Sequence, residues 1–151
     1  MRWLQDHPHV LEIAYRMVEK GLRPLKNLLV PKSSIEPLII NLEIITKGPV
    51  FDCRMCGQCI LHSTGMTCPM SCPKTMRNGP CGGVRSNAHC EVFPDRLCVW
   101  VQAWERSVRM PIYGQDIRSV QAPLNNQLRG TSAWINDLHL HEKMAPPGWQ
   151  E

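Results

Sequence analysis

Apolar residues return at helical intervals in three stretches of this chain. Over residues 6–29, Leu11, Ala14, Val18 and Leu22 fall three or four positions apart, which predicts a helix with one apolar stripe. Asp6 can cap it and Pro8 suits its first turn. Gly21 and Pro24 predict its end or a kink. A second pattern follows Ser33-Ser34, with Pro37 in a first turn and Leu38, Ile39, Leu42 and Ile45 at helical spacing. It predicts a helix to about Thr46, although its β-branched residues also suit a strand. Gly48-Pro49 should break it. The third pattern is the clearest. Pro94 and Asp95 start it, Leu97, Val101, Trp104 and Val108 form its buried stripe beside Trp100, and it ends before Pro111.

Residues 50–89 show little periodicity and many Gly, Pro, Asn and Ser. Such a segment has little core of its own, and bound metal would supply much of its folding free energy. Beyond Tyr113 the chain reads as irregular except at residues 128–138, where Thr131 or Ser132 can cap a short helix carrying Trp134, Ile135 and Leu138. Residues 144–151 are Pro/Gly-rich and expected to be mobile. The fold class that follows is mainly α with irregular cysteine-rich loops: a small metal- or cluster-organised domain with an extended C-terminal tail. Its parts are an N-terminal helical segment (1–49), a cysteine-rich cluster-binding region with its closing helix (50–110) and a partner-binding tail (111–151), together one compact domain. The three helices are expected to form the core against which the cysteine loops pack.

Composition narrows the function classes. At 151 residues the chain is too short for a TIM barrel of roughly 250. It has no G-x-G-x-x-G after a strand pattern and no G-x-x-x-x-G-K-[ST] loop, so it is not expected to bind a large substrate and a nucleotide unaided. The net charge of +4 is mildly basic, but Lys and Arg are spread out and no zinc-finger spacing appears, so nucleic acid is not an expected partner. Hydrophobic residues at 43% against 20% charged residues exclude a disordered tail. The most apolar run, 35–45, contains Glu36, Pro37, Asn41 and Glu43 and falls far short of the roughly 20 residues of a membrane span. The N-terminus lacks the pattern of a signal peptide. A cytoplasmic location is expected, and in a reducing compartment clustered thiols are metal ligands more often than disulfides.

Six of the eight cysteines lie between Cys53 and Cys81, and Cys90 and Cys98 follow. Cys53, Cys56 and Cys59 make a C-x2-C-x2-C run, the pattern by which bacterial ferredoxins supply three thiolates to a [4Fe–4S] cluster. A loop of that length can aim three sulfurs at one point, which suits a metal centre and not three separate disulfides. Structural zinc also takes four thiolates, commonly from two separated C-x2-C pairs. The third close cysteine favours iron–sulfur, and zinc stays as the alternative. Prolines after Cys68 and Cys72 resemble the ferredoxin Cys-Pro ligand. With Cys68, Cys72, Cys81, Cys90 and Cys98, the set suffices for one or two [4Fe–4S] clusters, and the spacing does not reveal which thiols share a site. Gly82 and Gly83 let backbone amides approach a cluster's sulfides.

Other residues change the picture little. His62 and His89 lie among the thiols and are placed behind the ligands or at the surface. His7, His9, His139 and His141 are read as solvated. Lys74, Arg77 and Arg85 balance the charge of an anionic centre, with a docking contact as the alternative. Arg16, Lys20 and Arg23 read as a solvated helix face. Asp52 is a weak candidate for proton transfer, and no nucleophile–base pair appears. Trp100, Trp104 and Trp134 read as core or interface packing, with flavin or pterin stacking as the lesser alternative.

The thread through Cys53, Cys56-Gly57-Gln58-Cys59, Cys68-Pro69, Cys72-Pro73-Lys74, Arg77-Asn78-Gly79-Pro80-Cys81-Gly82-Gly83, Cys90-Glu91 and Cys98 with Trp100 resembles one family. It is similar to the methylenetetrahydrofolate reductase C-terminal domain, best known as the small V-type partner subunit of that reductase. Leu128-Arg129-Gly130-Thr131-Ser132-Ala133-Trp134 also looks like that family's ending. The resemblance implies a companion, not catalytic alone, to a flavin-dependent (FMN or FAD) TIM-barrel subunit that interconverts 5,10-methylene- and 5-methyl-tetrahydrofolate. It implies iron–sulfur clusters on the eight cysteines that relay electrons from an external donor to the partner's flavin. Zinc has also been attributed to such enzymes, which leaves a zinc-bearing structural subunit as the alternative. The chain's compact length implies that it carries no catalytic domain of its own. The apolar tail around Trp134 is expected to embrace the partner.

Overall fold

A computed structural model describes residues 2–139. The expectations for residues 144–151 and for His141 lie outside these residues. Among the described residues five α-helices carry the fold: α1 (Arg2–Asp6), α2 (Pro8–Leu22), α3 (Glu36–Phe51), α4 (Val99–Ser107) and α5 (Ala133–Leu138). Single 3-10 turns interrupt the loops between them. Among the described residues, extended pairing amounts to two isolated bridges, Val84–Cys90 and His89–Leu97. No described helix is long and apolar enough to cross a membrane.

The helix expected over residues 6–29 is α2 alone, with α1 before it and a 3-10 turn after it. Asp6 ends α1 and does not cap α2, whose N-cap is His7 with no side-chain capping bond. Pro8 opens α2, as its fixed φ favours. The helix ends at Leu22, and Pro24 continues in a 3-10 turn, Arg23–Leu25.

Helix α3 outlasts its expected end at Thr46 and runs through Gly48 and Pro49 to Phe51. Pro49 sits in the last turn, where its missing N–H forfeits one bond and tertiary contacts hold the rest. Asp52 then stops the helix in a left-handed conformation (φ 51°), its N–H bonding the Gly48 carbonyl at 2.9 Å.

Helix α4 begins at Val99, later than Pro94-Asp95 suggests, with Cys98 as its N-cap. The preceding residues are held in a tight loop instead. Cys90 N–H bonds Arg96 O at 2.9 Å, and Cys98 N–H bonds Ala88 O at 2.9 Å.

The stripes expected to be buried mostly face outward. On α3, Leu38 and Ile45 are 69% and 71% exposed, whereas Glu36, Glu43 and Lys47 are buried. On and before α4, Leu97, Trp104 and Val108 are exposed, and Trp100, Ala103, Arg106 and Ser107 are buried. On α2, Ala14 and Val18 are exposed and Glu12 is fully buried. Period alone reveals that a helix has two faces. Which face turns inward is set by the body it meets.

That body is the cysteine region itself, contrary to the expectation that it lacks a core. Leu61, Met66, Cys68, Met70 and Met110 form one buried cluster, flanked by Leu11, Tyr15 and Phe51 from the N-terminal helices. Cys98, Trp100 and Ala103 form a second, with Met76, Val84 and Ile117 against it. Polar side chains that bond the loops then line the inward helix faces. Glu12 Oε1 accepts from the N–H groups of Ile112 (2.9 Å) and Tyr113. Arg106 donates to Thr67 Oγ1 (2.9 Å) and Gln5 Oε1 (3.2 Å), tying α4 to the loops and to α1.

Residues 112–139 do not form the extended tail expected of them. They return across the molecule to α5, capped by Ser132, whose Oγ accepts from Ile135 N–H at 3.2 Å. Ile135 and Ser132 are fully buried.

Candidate functional site

The eight thiols fall into two sets of four, each lining its own pocket. Cys53, Cys56, Cys59 and Cys68 line the first. Cys72, Cys81, Cys90 and Cys98 line the second. All eight are free thiols. They sit around the pocket walls. Among the described residues, no three His, Cys, Asp or Glu side chains draw onto one point as the ligands of a single ion do. The expected convergence of the C-x2-C-x2-C sulfurs on one point is therefore not seen, and the three line one pocket instead.

The first pocket lies between α3 and the loop that follows it. Asp52, Met55 and Gly57 all take left-handed φ values, so the loop bends repeatedly over residues 52–59. Cys68 arrives from the far side, just before the turn Pro69–Ser71. Nearby backbone amides favour the thiolate form: that of Met55 at Cys53, of Leu61 at Cys59, and of Met70 and Arg54 at Cys68. Cys59 sits deep among protein atoms, and burial pushes its thiol up to about 12, against the pull of Lys47 and the Leu61 amide. Burial, with the neighbouring Cys53 thiol, pushes Cys68 up to about 11. Such thiols are protonated at neutral pH when alone. A bound metal would displace those protons.

Lys47 brings a positive charge to this pocket, on a residue that sequence reading did not single out. Its side chain is buried and lines the wall beside the thiols. It pairs with Glu43 Oε2 at 2.7 Å and lies 4.6 Å from the centroid of the Trp134 ring. Burial alone would lower its pKa, but the pull of Cys59, Glu43 and Cys53 outweighs that and holds it above the usual lysine value. The signal was present in the sequence. Glu43 and Lys47 are one helical turn apart in a stretch otherwise almost free of charge.

The motif residues that are not thiols hold the C-terminal segment over the first loop. Gln58 is fully buried, and its Oε1 accepts from Asn125 N–H at 2.6 Å. Buried Arg77 donates to Gln58 O (3.1 Å) and Ala122 O (2.8 Å). Asn78 exchanges two bonds of 2.8 Å with the Gln121 backbone. Gly130 N–H reaches Met55 O at 2.8 Å, and Asn136 reaches Gly57 O at 2.9 Å. Gly57 has φ 74°, and a Cβ there would collide with the Leu128 backbone. Gly57→Ala is therefore expected to destabilise the fold by about 2–3 kcal/mol, read as a lower denaturant midpoint.

The second pocket is more open. Cys98 is buried, Cys72 and Cys90 are half-buried and Cys81 is exposed. The Gly83 amide lies 3.4 Å from Cys81 Sγ. Gly83 has a second role, since a Cβ there would strike the Glu91 carboxylate. That carboxylate pairs with Lys74 beside Cys81, and the hydrogen bond from Lys74 lowers the Glu91 pKa. Arg85 is exposed. Trp100 closes the inner wall, its Nε1 donating to Met76 O at 3.0 Å. Trp100 and Trp104 also border a half-open cleft of about 450 Å³ with Arg118 at its rim.

The described histidines stand outside the thiol pockets. His62 stacks on Tyr15 (centroids 5.7 Å) and meets Tyr113 edge-on. His89 pairs with Asn87 at 2.9 Å. Two of those read as solvated have partners: His7 with Trp3 O (2.8 Å) and His139 with Leu29 O (2.9 Å). Asp52 pairs with exposed Arg54 at 2.9 Å at the surface.

The donor set fits a sulfur-ligated metal group: four soft thiols per pocket, amides near sulfur and, in the first, a buried cation against negative charge. Comparison with known proteins agrees with the thread of motifs. The family described as Methylene-tetrahydrofolate reductase C terminal matches residues 33–127. No curated protein matches the chain, and no solved structure does. The match takes in all eight cysteines and stops just short of the Leu128–Trp134 motif. Covering well over half of the sequence, it shows that this chain belongs to the methylenetetrahydrofolate reductase C-terminal family.

Proposed function

We propose that this chain is an accessory subunit of a methylenetetrahydrofolate reductase, carrying one iron–sulfur centre in each thiol pocket and passing electrons to a flavin in a separate catalytic subunit. The observation that carries this reading is the partition of eight thiols into two pockets of four. Cys53, Cys56, Cys59 and Cys68 would hold one [4Fe–4S] group, and Cys72, Cys81, Cys90 and Cys98 the other. Such a group supplies one-electron exchange when bound. The C-x2-C-x2-C run favours iron–sulfur over zinc.

The chain's own residues act around these sites. Lys47 offsets negative charge at the first pocket. The Met55, Leu61, Met70 and Arg54 amides favour its thiolates, and the Gly83 amide donates to Cys81 at the second. Gln58, Arg77 and Asn78 lock the C-terminal segment over the first loop and limit its access to water. The setting is a reducing, cytoplasmic one, in which the thiols stay available as ligands.

Metal and sulfide analysis of anaerobically purified protein tests the reading. About eight iron and eight acid-labile sulfide per chain are expected, with absorption near ~400 nm. Zinc without colour would make the chain a structural partner and refute the relay.

A further inference from the structure

We propose that the outer face of α3 is the surface on which the reductase's catalytic polypeptide seats. The inference rests on the accessory role above and names where the partner binds.

Helix α3 is inside out. Its charged residues are Glu36, Glu43 and Lys47, and all three are buried. Leu38, Leu42 and Ile45, one stripe at helical spacing, are 69%, 48% and 71% exposed, and Ile44, about 100° round the helix from Ile45, is 46% exposed. The other exposed residues of this helix, Pro37, Asn41, Thr46 and Pro49, carry no charge. A surface helix that works in water turns charges outward, and a contiguous apolar face marks an interaction site.

The face also specifies its occupant. A charge buried against it would find no counter-ion, so the partner's matching patch is apolar and uncharged. That chemistry suits a stably associated subunit. It does not suit a nucleic acid or a donor steered by charge. The opposite side of α3, through Glu43, Lys47 and Phe51, is a wall of the first thiol pocket. A helix is about 10–12 Å across, so a partner on the outer face is separated from that pocket by one helix thickness. The reductase-family match begins at residue 33 and includes all of α3. The exposed Ile13 and Met17 of α2 lie outside it.

The test uses the full chain, purified anaerobically, and the methylenetetrahydrofolate reductase catalytic subunit of the same organism. Affinity is measured by calorimetry for the wild type, Leu42→Glu, Ile45→Glu and, as a remote control, Val120→Glu. Leu42→Glu and Ile45→Glu are expected to weaken binding at least roughly 100-fold with unchanged melting temperature and metal content, and Val120→Glu to stay within about 2-fold. If a glutamate lowers the melting temperature, Leu42→Gln decides by the same comparison. Wild-type affinity in the α3 variants overturns the proposal. So does a wild-type homodimer that Leu42→Glu dissociates while catalytic-subunit binding persists. Iron is measured in the same samples. Iron-free protein whose binding still depends on α3 refutes only the relay, and iron-replete protein whose binding ignores α3 refutes only the docking face.

Discussion

Exchanging Cys59 for serine is expected to halve the iron of the purified protein, from about eight to about four per chain, and Cys90→Ser to do the same. The pairing is the sharper part. Cys53→Ser combined with Cys59→Ser removes two thiols from one pocket and should still leave about four iron. Cys59→Ser combined with Cys90→Ser strikes both pockets and should leave almost none. A same-pocket double variant that lost all its iron would show that the two sets are not independent. The variants also differ in what they do to the fold. Cys59 packs against the cluster of Leu61, Met66, Cys68 and Met70, so its loss should lower the melting temperature. Cys81 is exposed, and Cys81→Ser should cost iron with little change in melting.

This partition was hidden in the sequence for a local reason. Cys68 and Cys72 are four residues apart and both precede proline, and nothing in that spacing says whether they share a site. The turn Pro69–Ser71 between them sends the first thiol to one pocket and the second to the other. Ligand type follows from residue identity and close spacing, which a sequence displays. Ligand sharing depends on how distant loops meet, which it does not. The same limit governs the helices. Their existence was legible from periodicity and Pro placement, as in the start of α2 at Pro8. Their orientation was not, because the body they meet is built of Met, Cys and Leu in the loops and offers backbone amides to carboxylates. Glu12, Glu36 and Glu43 answer those amides, so the charged faces turn inward. The return of the C-terminal segment depends on the side chains of Gln58, Asn78 and Asn136, whose partners lie more than 40 residues away.

Glu43→Gln should be the most destabilising of the single substitutions outside the cysteines. The carboxylate is fully buried and serves three elements at once. Oε2 holds Lys47 at 2.7 Å, and Oε1 accepts from Ser132 Oγ and from Trp134 N–H at 3.0 Å. Glutamine keeps the shape but turns an amide donor or a neutral carbonyl toward a buried ammonium. Lys47 is left charged without its partner, and α5 loses one of its anchors. Removing one member of a buried pair costs about 3–5 kcal/mol, which for a chain of this size lowers the melting temperature by roughly 10 °C. Lys47→Met is the informative contrast. It leaves Glu43 with its Ser132 and Trp134 donors and fills the space with apolar atoms, so its stability cost should be smaller. Its effect should appear at the pocket instead. Lys47 favours the more negative state of any redox centre held by the neighbouring thiols, so the variant should lower that centre's midpoint potential while Glu43→Gln, which keeps the ammonium, should not. A Lys47→Met protein with an unchanged potential and a large stability loss would reverse the assignment and make this lysine a structural residue alone.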